Sequence, residues 1–156
     1  MGMYTSLRFK GYIKPEFREE FKGIALTGEW RKAKDSTLNS FSRVDRASFI
    51  PCGSLNCAPE TWEIASPSDK YRENAKATDG FERTYNPETG CWAFQCSLKN
   101  YSDTISVFLK ILPHFASSIT HLEIIYEEWD WSKKYELIGN RIQMTNDHFI
   151  KYNDYD

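Results

Sequence analysis

Residues 81–98 constrain this chain more than any other stretch. Phe81-Glu82-Arg83-Thr84-Tyr85 and Cys91-Trp92-Ala93-Phe94-Gln95-Cys96-Ser97-Leu98 are two runs of strand-forming residues around Asn86-Pro87-Glu88-Thr89-Gly90. Pro87 presets φ for a turn, and Gly90 is free to take the left-handed conformation that closes a longer hairpin loop. The spacing predicts a β-hairpin. Side chains alternate across a strand, so Trp92, Phe94, Cys96 and Leu98 share one face and Cys91, Ala93, Gln95 and Ser97 the other. Only the first set packs as a core, so the tryptophan face is the one that helices cover.

Periodicity supplies those helices and the remaining strands. Residues 4–13 read as a strand with Leu7, Phe9 and Ile13 inward and Gly11 at a bulge. Pro15 opens a helix at its first turn, with Phe17, Phe21 and Ile24 forming one apolar stripe. A second helix, 104–112, aligns Ile105, Phe108, Leu109 and Leu112. Asn100, Ser102 or Asp103 caps it, and Pro113 ends or kinks it. A strand over 120–128 aligns Leu122, Ile124 and Tyr126. The chain then turns at Gly139-Asn140 between residues 134–138 and 141–144, a second hairpin.

Between the first helix and residue 78 the pattern fails. Pro51, Pro59 and Pro67 interrupt it, and its apolar residues (Trp30, Phe41, Phe49, Ile50 and Trp62) have no period. A structureless loop of that length does not suit a compact domain, so the stretch reads as an insertion with short elements of its own, pinned by these aromatics. The order β-α-(insertion)-β-β-α-β predicts an α+β fold of the ferredoxin-like, split βαβ kind. Its antiparallel sheet carries two helices on one face, and a C-terminal β-hairpin is appended. The expected organisation is one domain over 1–156: a core of 3–25 and 79–128, an insertion 26–78, a hairpin 133–145 and a short tail 146–156.

Composition removes several function classes. With 5 Trp, 9 Tyr and 10 Phe among 156 residues the chain is too aromatic for a disordered segment. A mean hydropathy of −0.61 and the absence of any 18-residue apolar run argue against a membrane span. The opening residues carry no apolar core of signal-peptide length, which reads as a cytoplasmic protein. Net charge is −2, unevenly spread: residues 1–50 are positive in balance and residues 121–156 negative. Neither end forms a block of like charge.

The chemistry-bearing residues form no catalytic or metal-binding motif. Cys52/Cys57 and Cys91/Cys96 are two pairs at equal spacing, but five residues apart on a strand puts Cys91 and Cys96 on opposite faces, which ill suits one zinc ion. Free thiols are expected. His114, His121 and His148 have neither a helical metal spacing nor a nucleophile motif beside them, and the eight glycines make no phosphate loop. Trp92-Ala93-Phe94 superficially resembles the aromatic signature of RNA-recognition strands. Since Trp92 and Phe94 belong to the core face, and the chain is acidic overall, nucleic acid is not the expected partner. The expectation is therefore no catalytic residues, no metal and no cofactor.

What remains is the face of the sheet without helices, the insertion and the acidic segment Glu127-Glu128-Trp129-Asp130-Trp131. Carboxylates between tryptophans suit either an acid/base pair beside stacking platforms or a turn whose rings fold back on the sheet, and the turn is preferred. Tyr and Trp are enriched where proteins meet. The expected partner-binding residues are Glu127, Glu128, Trp129, Asp130 and Trp131, with Trp30 and Trp62 in the insertion.

The opening Met1-Gly2-Met3-Tyr4-Thr5, running straight into a strand, and the stretch Trp92-Ala93-Phe94-Gln95-Cys96-Ser97-Leu98-Lys99-Asn100-Tyr101 resemble small accessory proteins of bacteriophages and prophages. About a third of the chain carries the resemblance. It implies a protein that binds a host protein and inhibits or modulates it, with anti-CRISPR and other anti-defence inhibitors in the same class. It brings no site residues. The alternative expectation is a small-molecule or nucleotide binder with a pocket between sheet and insertion, and an enzyme using a Cys/His or acidic pair stands third.

Overall fold

The structure, a computed structural model, describes residues 4–53, 81–126, 128–129 and 132–145. Its centre is a six-stranded antiparallel sheet in the order β2-β3-β1-β4-β5-β6. The strands are β1 Tyr4–Ile13, β2 Thr84–Tyr85, β3 Cys91–Lys99, β4 Ala116–Tyr126, β5 Lys133–Ile138 and β6 Arg141–Met144. The helices are α1 Arg18–Phe21, α2 Ser36–Phe41, α3 Phe49–Cys52 and α4 Thr104–Phe115, and 3-10 turns precede α1 (Pro15–Phe17) and α2 (Trp30–Lys32). The α+β class and the antiparallel sheet are as expected. Among the described residues no helix is long and apolar enough to cross a membrane.

Both hairpins form where their turn residues place them. Asn86 and Gly90 close the first loop through Gly90 N–H to Asn86 C=O at 2.7 Å, with Gly90 at φ +79°. Gly139 takes the positive φ that a two-residue loop needs at its first position. Gly11 sits at a register shift between β1 and β4, and a Cβ there would meet the Ser118 carbonyl at 2.7 Å. No other residue fits that backbone approach.

The first helix departs from expectation. Phe21 and Ile24 are buried and Phe17 packs against them, so the stripe is real, but α1 is four residues long and gives way to turns before Leu26. The segment after it takes over as cover. Trp30, Leu38, Phe41 and Ile50 are all within 1 % of full burial and join Phe9, Trp92, Phe94, Phe108 and Phe115 in one aromatic core. The Trp30 indole N–H donates to the Ile50 carbonyl at 2.8 Å, and that of Trp92 to the Ala25 carbonyl at 2.7 Å. Each buried indole is thus satisfied by a carbonyl between residues 25 and 50. Asp35 caps α2 by accepting from Leu38 N–H, and the His114 ring donates to the same carboxylate at 2.9 Å, joining α2 to α4.

Helix α4 runs through Pro113 to Phe115 and passes directly into β4 at Ala116. A proline in the last turn removes a single backbone donor, and burying Phe115 outweighs that loss. At its other end Asn100 does the capping, its amide oxygen accepting from Ile105 N–H at 2.9 Å, while Asp103 adopts φ +54° without a side-chain cap.

The face opposite the helices was the one the sequence left open, and it is not open at its centre. Ser6, Arg8, Ala93, Gln95, Ser97 and Glu123 on that face are all buried. Arg8 stands opposite Gln95 on β3 and Glu123 on β4, and its Nε donates to Gln95 Oε1 at 3.1 Å. Phe81 lies over this row, with the Arg8 guanidinium 4.4 Å from its ring centre and the His121 ring 4.8 Å away.

Candidate functional site

On the helix-covered side, the layer between sheet and α4 is not filled at the end where β1 begins. Thr5 and Tyr126 project there from paired positions of β1 and β4, Ile105, Ser106 and Leu109 face it from the first turns of α4, and Lys133 and Tyr135 close it from β5. The result is a cleft of about 570 Å³. Its floor is apolar (Ile105, Leu109 and Ile124) and its walls carry Tyr101, Tyr126, Trp129 and Tyr135, with Asn100 at one end.

The local sequence explains why the cleft stays open. After Tyr126 the chain turns, with Trp129 N–H donating to the Tyr126 carbonyl at 2.8 Å, and β5 rejoins β4 only at Ile124–Lys133 and Glu123–Lys134. Beyond that point β5 pairs with β6 alone. The Trp129 ring lies 6.1 Å from that of Tyr126 and packs against the core, and the Lys133 ammonium rests on the indole at 4.4 Å. The Arg46 guanidinium lies 4.9 Å from the ring of Tyr101, which is 59 % exposed. Burial pushes the Tyr135 phenol above its ordinary pKa, so it stays neutral and able to donate a hydrogen bond.

Of the residues expected to bind a partner, Trp129 lines this cleft and Glu128 is exposed beside it. Trp30 is a correction. At 1 % exposure its indole fills the core and offers no contact surface, because the segment around it covers the sheet. Glu127, Asp130, Trp131 and Trp62 lie outside the described residues. The residues expected from the sequence to bind a partner did not include Tyr101, Tyr126, Lys133 or Tyr135. The alternation in β4 does place Tyr126 on the Leu122/Ile124 face, beyond the last position α4 covers. That was the available signal.

Three other features have less to offer a ligand. A depression of about 560 Å³ over residues 28–48 has Arg31, Arg43 and Arg46 around it, but Glu29 and Asp45 line it too and pair with Arg31 and Arg46. On the opposite face Glu123 accepts from the His121 ring at 2.8 Å. Burial works to raise the Glu123 carboxyl, but the polar contacts of His121 and Ser132 and the charges of His121 and Arg8 outweigh it and hold the group below its ordinary range. Cys96 is buried in the core and Cys52 is half-buried near enough to affect it, and desolvation raises both thiols. Raised thiols are poor nucleophiles and ligands. Among the described residues no three His, Cys, Asp or Glu side chains are grouped to hold a metal ion.

Comparison with protein-family models, curated proteins and solved structures finds no match for this chain.

Proposed function

We propose that this chain is a non-catalytic binding protein of the phage-accessory kind, which holds a segment of a host protein in the cleft between α4 and β5 and so inhibits or modulates it. The observation that carries the reading is the cleft itself: four aromatic side chains around an apolar floor, on a rigid frame of helix and sheet. Interfaces draw most of their affinity from pockets of this kind, where Tyr and Trp surround a buried anchor from the partner. On the resemblance, that host protein acts in the cytoplasm, and a defence component of the anti-CRISPR kind is the target class it favours. The strand order β2-β3-β1-β4 supports the split βαβ reading of the core, with residues 26–53 in place of part of the first helix.

The test is quantitative affinity purification of the tagged chain from nuclease-treated bacterial lysate, with Ser106→Trp as the blocking variant. Ser106 is exposed on α4 and lines the cleft, so an indole there fills it without entering the core. The same bulk at Thr120, exposed on β4 and outside the lining, is the control. A stoichiometric host protein recovered with the parent chain and Thr120→Trp, but lost with Ser106→Trp, is the expected result. Equal recovery with all three contradicts the reading.

A small-molecule reading also has an observation in its favour, since about 570 Å³ lies within the range of ligand pockets. In this reading the ligand sits between α4 and the C-terminal hairpin, not between sheet and insertion where the expectation put it. A rise in melting temperature with a nucleotide or metabolite, abolished by Ser106→Trp, would favour it over the protein partner.

A further inference from the structure

We infer that the occupant of the cleft is an acidic protein segment, with a carboxylate placed next to an aromatic or branched apolar anchor. This rests on the cleft being the partner site and goes on to state what the partner offers it. Among the described residues Lys133 is the one charged side chain in the lining, and it makes no ion pair with any of them. Its ammonium is held over the Trp129 ring, which fixes a positive charge at the wall while leaving its N–H donors to be used. Asn100 is a further polar side chain of the lining. Its oxygen already accepts one bond, from Ile105 N–H, and its amide N–H groups add donors to the lining.

The lining thus offers one positive charge and amide donors together with an apolar floor, which suits an acceptor that carries one negative charge. A carboxylate fits better than a phosphate. Phosphate sites gather several donors at once, from a run of backbone amides or from arginine forks, and a single ammonium with an amide is not that arrangement. Glu128 is exposed next to Trp129 and does not line the cleft, so among the described residues the wall itself presents no carboxylate to repel an acidic segment.

Panning a displayed library of random dodecapeptides on the full chain, with adenosine monophosphate as competitor, tests this. The expected winners carry Asp, Glu or a free C-terminus within two or three residues of an aromatic or branched apolar residue. Their affinity falls roughly tenfold with Lys133→Met, which keeps an unbranched stem on the indole and removes the charge. Changing the peptide's acid to its amide causes a similar loss, and the two losses are not additive. Acid-free winners that bind Lys133→Met undiminished but are blocked by Ser106→Trp overturn the charge assignment and leave the cleft reading intact. Winners indifferent to Ser106→Trp, or a library that yields none, overturn both. Displacement by adenosine monophosphate assigns the cleft to a nucleotide and overturns the acidic segment.

Discussion

The ammonium of Lys133 lies 4.4 Å from the centre of the Trp129 ring, so the start of β5 and the turn before it are joined through a cation and an aromatic face. This contact closes one wall of the cleft. A cation–π pair contributes about 0.5–1 kcal/mol where exposed and about 2 kcal/mol where desolvated, and both partners here are half-buried. Lys133→Met is therefore expected to shift the urea unfolding free energy by no more than about 2 kcal/mol and to leave the chain folded, so that a loss of binding in this variant reports on recognition. A loss several times larger would make the pair a structural element.

Trp30 and Tyr101 behave oppositely when truncated. Trp30 is enclosed by Phe21, Phe41, Trp92, Phe108 and Phe115 and donates to Ile50, so Trp30→Ala is expected to cost about 3–5 kcal/mol. Tyr101 is mostly exposed, and Tyr101→Ala is expected to stay within about 0.5 kcal/mol of the parent chain while weakening the partner complex. Urea titration of both variants checks the pair. Similar costs for the two would refute the division between core and cleft.

Acid weakens the fold through Glu123. Its carboxyl titrates lower in the folded chain than in the unfolded one, so the ionised form stabilises the fold. That contribution is complete above the ordinary carboxylate range and is lost as pH falls through the lowered folded value. Glu123→Gln lacks the titrating group. Its unfolding free energy is expected to fall less than that of the parent between about pH 6 and about pH 3. Parallel pH profiles would show that Glu123 does not carry this linkage.

Thiol chemistry separates the cysteines by burial. Desolvation drives the Cys96 thiol far above its ordinary pKa and raises Cys52 less, and only the thiolate reacts. Among the described cysteines, with iodoacetamide under native conditions, Cys91, half-buried on β3, is expected to label first and Cys52 more slowly, while Cys57 lies outside the described residues. Cys96 is expected to label only as fast as the chain unfolds. Peptide mapping by mass spectrometry reads the order, and early labelling of Cys96 would contradict its place in the core.

Much of the sheet was legible in the sequence because alternation and turn chemistry are local. Trp92, Phe94, Cys96 and Leu98 point inward as their spacing requires, and Gly11, Gly90 and Gly139 stand at the bulge and turns they suit. The role of residues 26–53 was not legible. Trp30, Phe41 and Ile50 reach the core from short, aperiodic elements, and only the tertiary fold brings them beside Phe21 and Trp92. The buried row of Arg8, Gln95 and Glu123 was hidden for a related reason: on each strand it reads as an exposed polar position, and only the cross-strand register joins the three. The cleft was half visible. Trp129 stood out by type, whereas Tyr101, Tyr126 and Lys133 become neighbours only when β5 leaves β4 after two residue pairs.

The most direct test is the indole N–H spectrum of the ¹⁵N-labelled chain, recorded while the protein captured from lysate is added to saturation. Trp129→Phe assigns the Trp129 signal, and the same substitution at Trp30 and Trp92 assigns the two indoles buried among the described residues. The Trp129 resonance is expected to shift or broaden on binding, with those of Trp30 and Trp92 unmoved because they are hydrogen-bonded inside the core. A saturated complex in which the Trp129 signal stays in place would contradict the cleft as the binding site.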